Sequence, residues 1–165
     1  MNLHIPLPRV RWQAVALVGV VVAAADMAVA LAYWAMQGVE PARIVQGIAA
    51  GWVGREAARA GGGATVLLGA ASHLAIAIAM VWVFVAASRR LALLLERPIA
   101  CGLAYGVATW AAMKFVVIPL SAIVPAAAPA PLSWQLAHFA SHLVIVGLPS
   151  AWLARRLAAA EPADG

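Results

Sequence analysis

Residues 64–87 read ATVLLGAASHLAIAIAMVWVFVAA, a run of 24 residues in which His73 is the one ionisable side chain. A helix of that length rises about 36 Å, which is more than the roughly 30 Å of hydrocarbon in a bilayer. Comparable apolar runs occupy residues 13–36, 99–120 and 133–153. The sequence therefore predicts an all-α fold, an integral membrane four-helix bundle formed by a single domain.

The overall composition agrees with this interpretation. The chain has 165 residues, of which 65% are hydrophobic and 10% charged, and its mean hydropathy is +0.95. A soluble domain carries about a quarter charged residues, so a soluble fold is excluded. The net charge of +5 would suggest nucleic acid in a soluble protein. Here the arginines flank apolar runs, which favours the lipid bilayer as partner and no nucleic acid.

The basic residues also predict an orientation. Seven of them fall on one side of the predicted spans: Arg9, Arg11, Arg89, Arg90, Arg97, Arg155 and Arg156. On the other side, Arg43, Arg55 and Arg59 are diluted by glutamates, and residues 121–132 carry no charge. The positive-inside rule places both termini in the cytoplasm. A signal peptide is the alternative interpretation of the first segment, but its apolar character continues to Met36, which favours an uncleaved span.

The first outer loop contains an additional amphipathic segment at about residues 41–59. Pro41 is a favoured first helical residue, and Ile44, Ile48 and Trp52 follow at a spacing of four. This spacing puts the three apolar side chains on one helix face. We therefore expect a helix that lies on, or dips into, the interface on the outer side of the membrane.

A short repeat suggests that the bundle consists of two parallel helical hairpins. The tetrapeptide Ala-Ser-His-Leu occupies residues 71–74 and again 140–143, and both copies enter the predicted membrane from the outer side. Parallel repeats related by an axis along the membrane normal are one way of building small transport folds. Gly102 and Gly106 form a pair of small residues one helical turn apart, which favours close helix packing.

Ionisable side chains inside the predicted spans are the leading candidates for a functional site, because they are costly in a membrane unless they face protein or water. Every predicted helix contributes at least one of them: Asp26, His73, Lys114, His138 and His142. Counted from the outer ends of the spans, they lie at depths from about 7 to about 15 Å. We expect a polar layer in the outer half of the bundle, with Ser72 and Ser141 as supporting hydroxyls and Lys114 as counter-ion of Asp26.

Several kinds of chemistry suit such a layer. His73 and His142 come from two helices at one depth, as axial haem ligands or ligands of one metal would, with His138 or Asp26 as a further ligand. A carboxylate followed by imidazoles equally suits a proton relay, or the histidines hold helices together through hydrogen bonds. The His138 and His142 pair lacks the glutamate of a zinc protease. No phosphate loop or nucleophile with a base is evident, so we expect no enzymatic activity.

The order of features from the second span onward resembles the YagU-type family of small four-span bacterial inner-membrane proteins. The matching residues are Ser72, His73, Arg89, Arg90, Ile118, Pro119, Leu120, Ser141, His142, Leu143, Arg155 and Arg156, with a proline-containing outer loop between the third and fourth spans. The resemblance covers roughly the last hundred residues. It implies an inner-membrane location and a proton-linked role for His73 and His142, in a family with no established biochemical activity and a loose association with acid tolerance.

Our leading prediction is an inner-membrane protein whose polar layer handles protons or a small ligand, with a homodimer or a larger membrane complex as the candidate assemblies. The alternative from another class is an accessory subunit of a larger respiratory, photosynthetic or transport complex, in which the polar layer only holds helices together. The third alternative is a carrier of haem or a metal bound by His73 and His142.

Overall fold

The computed structural model describes residues 11–123 and 130–160, and 88% of these residues are helical, with no strand among them. The helices are α1 (Trp12–Met36), α2 (Pro41–Val53), α3 (Arg55–Ala60), α4 (Gly62–Ser88), α5 (Leu93–Glu96), α6 (Pro98–Leu120) and α7 (Leu132–Ala159). The predicted all-α fold is confirmed. Helices α1, α4, α6 and α7 are long and apolar enough to cross a membrane, which suggests a multi-pass membrane protein.

The four long helices form a bundle with two different ends. The α2 end holds α2, α3, residues 121–123 after α6 and the start of α7. The α5 end holds the start of α1, helix α5 and the last turns of α7. The largest fully buried apolar side chains lie in the half nearer the α5 end and include Val15, Val81, Phe84 and Leu95. The opposite half contains the five ionisable residues of the predicted polar layer, so the interior of the bundle divides into an apolar and a polar part.

Helix α7 lies at the centre of the bundle and α6 at its margin. A larger share of α7 is buried than of any other long helix, and α6 is the least buried of the four. Helix α6 packs against α7 through Gly102, Gly106 and Gly147. A Cβ atom at Gly106 would lie 2.5 Å from the carbonyl oxygen of His142 and 2.5 Å from the Cα of Leu143. The predicted close packing at Gly102 and Gly106 is therefore confirmed, and its partner is α7.

Two of the long helices contain a widened turn of π-helix. It covers Met113–Val117 in α6 and His142–Gly147 in α7, and each ends in an i to i−5 backbone hydrogen bond. In both helices a proline follows two residues later, at Pro119 and Pro149. A proline inside a helix has no N–H to donate and clashes with the carbonyl group four residues before it. The wide turns accommodate these carbonyl groups, at Phe115 and Ile145, and let both helices continue.

The amphipathic segment differs from the sequence prediction in two respects. It is not one helix over residues 41–59, because Gly54, with φ at +79°, separates α2 from α3. Helix α2 buries Gln46, Ala49 and Ala50 against its neighbours, whereas Trp52 is 68% exposed. Small side chains allow close packing, which the apolar spacing could not reveal. Helix α2 contacts α4 as far along as Ser72, so it lies beside the first turns of that helix.

The last helix is longer than the predicted span. Helix α7 begins at Leu132 and continues to Ala159, six residues past the predicted limit at residue 153. Arg155 and Arg156 therefore lie within the helix, whereas the sequence prediction placed them after its end. Arg9 and the loop prolines Pro125 and Pro129 lie outside the described residues.

Candidate functional site

The centre of the polar layer is a contact between α1, α4 and α7. The hydroxyl of Ser141 donates a hydrogen bond to Asp26 Oδ1, and His73 Nε2 lies 3.8 Å from Asp26 Oδ2. The side chains of His73 and Asp26 are 19% and 17% exposed. A carboxylate shielded to this extent is tolerated in an apolar bundle because a hydroxyl donor and an imidazole face it.

The hydrogen bond of His73 determines which of its ring nitrogens carries the proton. His73 Nε2 is 3.0 Å from the carbonyl oxygen of Ala23. A carbonyl oxygen only accepts hydrogen bonds, so Nε2 donates and Nδ1 is the unprotonated nitrogen of the neutral ring. Protonation of His73 at Nδ1 would then produce a cation beside the carboxylate of Asp26.

His142 and His138 form a second pair, on α7 alone. His142 is only 4% exposed, its Nδ1 lies 3.0 Å from the carbonyl oxygen of His138, and the two ring centroids are 4.5 Å apart. By the same argument His142 Nδ1 donates and Nε2 is the nitrogen that can accept a proton. His138 stacks on Trp134, with centroids 5.4 Å apart and an angle of 16° between the rings.

Lys114 lies closer to the α2 end, in the π turn of α6. Its Nζ donates to Gln135 Oε1 at 2.9 Å and lies 4.9 Å from the centroid of the Trp110 ring. Gln135 Nε2 in turn donates to the carbonyl oxygen of Ala130 at 2.9 Å. The amide and the aromatic face satisfy the ammonium group, as a half-buried cation requires.

Two predicted contacts of the layer are corrected. Within the described part of the chain, Asp26 makes no ion pair with Lys114, because Asp26 faces Ser141 and His73 while Lys114 faces Gln135. Depth along a helix does not determine the direction in which a side chain points. Ser72 lies outside the layer, since it donates to the carbonyl oxygen of Leu68 and accepts a hydrogen bond of 2.9 Å from the indole N–H of Trp52.

The repeated tetrapeptide therefore has different surroundings in its two copies. Ser141 forms a hydrogen bond with Asp26 on α1, whereas Ser72 forms one with Trp52 on α2. His73 forms a hydrogen bond with α1, whereas His142 forms one within α7. The five ionisable residues nevertheless share one region, since His138 interacts electrostatically with Asp26, His73, Lys114 and His142.

Three further polar residues extend the layer to the α2 end, and the sequence interpretation missed them. Gln135 accepts the hydrogen bond from Lys114, and the hydroxyl oxygens of Tyr33 and Ser133 lie 2.6 Å apart. A signal for Gln135 was available, because it precedes His138 by three residues and His142 by seven and so shares their helix face. Tyr33 follows Asp26 by seven residues and so shares its helix face, but its contact with Ser133 comes only from the packing of α1 against α7.

A metal centre finds no support in this geometry. No three His, Cys, Asp or Glu side chains converge around a common point within residues 11–123 and 130–160. His73 has one ring nitrogen engaged with the carbonyl oxygen of Ala23 on α1, and His142 has one engaged with the carbonyl oxygen of His138 on its own helix, so only Nδ1 of His73 and Nε2 of His142 would be left for a metal. The comparison with known proteins found no match. No family model matches the chain, and no curated protein or solved structure matches it.

Proposed function

We propose that this protein is a multi-pass protein of the bacterial inner membrane that carries protons through its polar layer. The observation that supports the proposal most directly is the group formed by Asp26, His73 and Ser141 at the junction of three helices. An imidazole nitrogen 3.8 Å from a carboxylate oxygen needs only a small side-chain movement to reach the distance of proton transfer, and the second imidazole pair begins at the residue next to Ser141.

The layer offers a proton successive positions toward one end of the bundle. From Asp26 and His73 these are His142 and His138, whose rings are in contact, and then the region of Gln135 and Lys114. An imidazole suits this role because it titrates near neutral pH and has two ring nitrogens, so it can accept on one and release from the other. The half of the bundle toward the α5 end is apolar, which would limit proton leakage when the relay is at rest.

The proposed orientation places both termini in the cytoplasm and the α2 end outside. The arginines at the α5 end support this orientation under the positive-inside rule. Membership of the YagU-type family, with its loose association with acid tolerance, is part of the same proposal and rests on the motifs around His73 and His142.

The test is proton flux into liposomes. The purified protein is reconstituted with a trapped pH-sensitive dye, and a potassium gradient with valinomycin supplies the driving force. We expect faster acidification than in empty liposomes, and a return to the empty-liposome rate for Asp26→Asn and His73→Gln. Tyr105→Phe is the matched control, because it removes a hydroxyl that donates to the carbonyl oxygen of Met80, away from the layer.

Each outcome of the flux measurement has a clear meaning. A wild-type rate equal to that of empty liposomes would refute proton transport. Equal rates for the wild type, Asp26→Asn and His73→Gln would refute the role of the layer. Size-exclusion profiles of all variants verify that a loss of flux does not come from a loss of folding.

In the alternative in which the chain is a subunit of a larger assembly, a partner would pack on α6, the least buried of the four long helices. Helix α6 packs mainly on α7, and its other face exposes Val107, Phe115 and Val116. A second copy or a partner helix that covers this face would make a homodimer or a larger complex. Stoichiometric partner chains in a mild-detergent purification support an accessory role, and a single chain at monomer mass argues against both assemblies.

A further inference from the structure

An apolar groove separates the first turn of α6 from the last turns of α7 at the α5 end of the bundle. Its volume is about 480 Å³, in the range of small-molecule sites. The apolar part of the lining includes Ile99, Leu148, Ala151 and Trp152, and Arg155 and Arg156 also line the groove. None of the residues that line the groove is acidic. The groove thus combines an apolar body with a concentrated positive charge.

The position of the groove along α7 corresponds to one face of a bilayer whose hydrocarbon core the helix would cross. From Leu132 to Trp152 the helix rises about 30 Å, which is the thickness of the hydrocarbon core. Arg155 and Arg156 follow within one further turn, at the depth of lipid phosphate groups. The guanidinium of Arg156 also lies 4.9 Å from the centroid of the Trp152 ring. This contact holds the cation beside the apolar lining of the groove.

We propose that the groove binds one anionic phospholipid, with its phosphate at Arg155 and Arg156 and one acyl chain along Ile99, Leu148 and Trp152. Charge complementarity selects an anionic headgroup, and the apolar walls require an acyl chain, which free phosphate lacks. Basic pockets between membrane helices on the cytoplasmic side bind such headgroups in other proteins. The proposal rests on the proposed insertion in a bacterial inner membrane, and it is independent of proton transport.

Native mass spectrometry of the delipidated protein, titrated with phosphatidylglycerol or phosphatidylcholine, tests the proposal. We expect one tightly retained phosphatidylglycerol and no comparable retention of phosphatidylcholine. Loss of both charges in R155Q/R156Q should weaken phosphatidylglycerol binding about thirtyfold. The matched control R89Q/R90Q removes the same charge at the same end of the bundle but away from the groove, and it should change the affinity less than twofold.

A second variant tests the acyl chain without changing the charge. Ile99 is 70% exposed, so Ile99→Trp fills the groove without disturbing the core, and it should abolish the tightly retained lipid. Equal weakening in the two arginine pairs would overturn the proposal, because it would indicate attraction without a site. Displacement of the lipid by millimolar inorganic phosphate, or an unchanged affinity in Ile99→Trp, would also overturn it. Flux is measured separately, so failure of lipid binding leaves the proton proposal intact.

Discussion

Ser141 on α7 donates a hydrogen bond to Asp26 on α1, across 115 positions of the chain. The bond connects the first long helix to the last one in the polar half of the bundle. It also places a hydroxyl donor beside the carboxylate that we propose as a proton carrier. The contact therefore has consequences for both folding and function.

The first prediction concerns the energetic coupling of this pair. In a double-mutant cycle with Asp26→Ala and Ser141→Ala, we expect a coupling free energy of about 0.5–2 kcal/mol, the range for hydrogen bonds between membrane helices. Reversible unfolding in mixed micelles measures it. Ser150→Ala is the control partner, because Ser150 donates within its own helix to the carbonyl oxygen of Val146. Additive effects for Asp26 and Ser141 would contradict the contact.

The second prediction concerns Lys114 and its acceptor. Lys114→Met leaves Gln135 Oε1 without its donor, so we expect a loss of about 1–3 kcal/mol in the free energy of unfolding. The double variant Lys114→Met/Gln135→Leu should recover part of this loss, because both polar groups are then gone. Thermal denaturation in detergent compares the variants. A double variant less stable than the single one would show that Gln135 has a different role.

The third prediction concerns the approach of α6 to α7. Gly106→Ala would bring a methyl group against backbone atoms of His142 and Leu143, which cannot rotate away. We expect a destabilisation of about 1–3 kcal/mol. Gly47→Ala is the matched control, since no atom lies within 4 Å of a Cβ there, and helix propensity predicts a small gain. Equal stability of the two variants would show that the two helices are not closely packed.

The fourth prediction concerns the break between α2 and α3. Gly54 has φ +79° and ψ 164°, a conformation that is essentially restricted to glycine. Gly54→Ala should cost about 1–3 kcal/mol through backbone strain alone, because its Cβ would find ordinary space, 3.7 Å from the carbonyl oxygen of Ala122. Protease cleavage within residues 41–60 should be faster in Gly54→Ala than in the wild type. Unchanged cleavage would indicate one continuous helix, as the spacing predicted.

The candidate site was predictable as a group of residues but not as a set of contacts. Intramembrane charges are rare enough to identify Asp26, His73, Lys114, His138 and His142 from the sequence, and helical rise gives their approximate depth. The direction of each side chain depends on how a helix is rotated against its neighbours. For this reason Asp26 meets Ser141 and His73 and does not meet Lys114.

The widened turns illustrate the same limit. Pro119 and Pro149 indicate a disturbed helix, but a kink, a break and a π turn all relieve the clash of a proline with the preceding carbonyl group. The structure contains π turns, which shift the register of Lys114 and His142 relative to the residues that follow.

The sequence by itself determined the all-α class and the four long apolar helices, because length and hydrophobicity are properties of each segment alone. It also identified the ionisable residues of the polar layer. Only the tertiary structure decided that α7 is central, that Ser141 and not Lys114 contacts Asp26, and that Arg155 and Arg156 line a groove beside α6. These features depend on helix rotation and close packing, which are set by contacts between residues far apart in the chain.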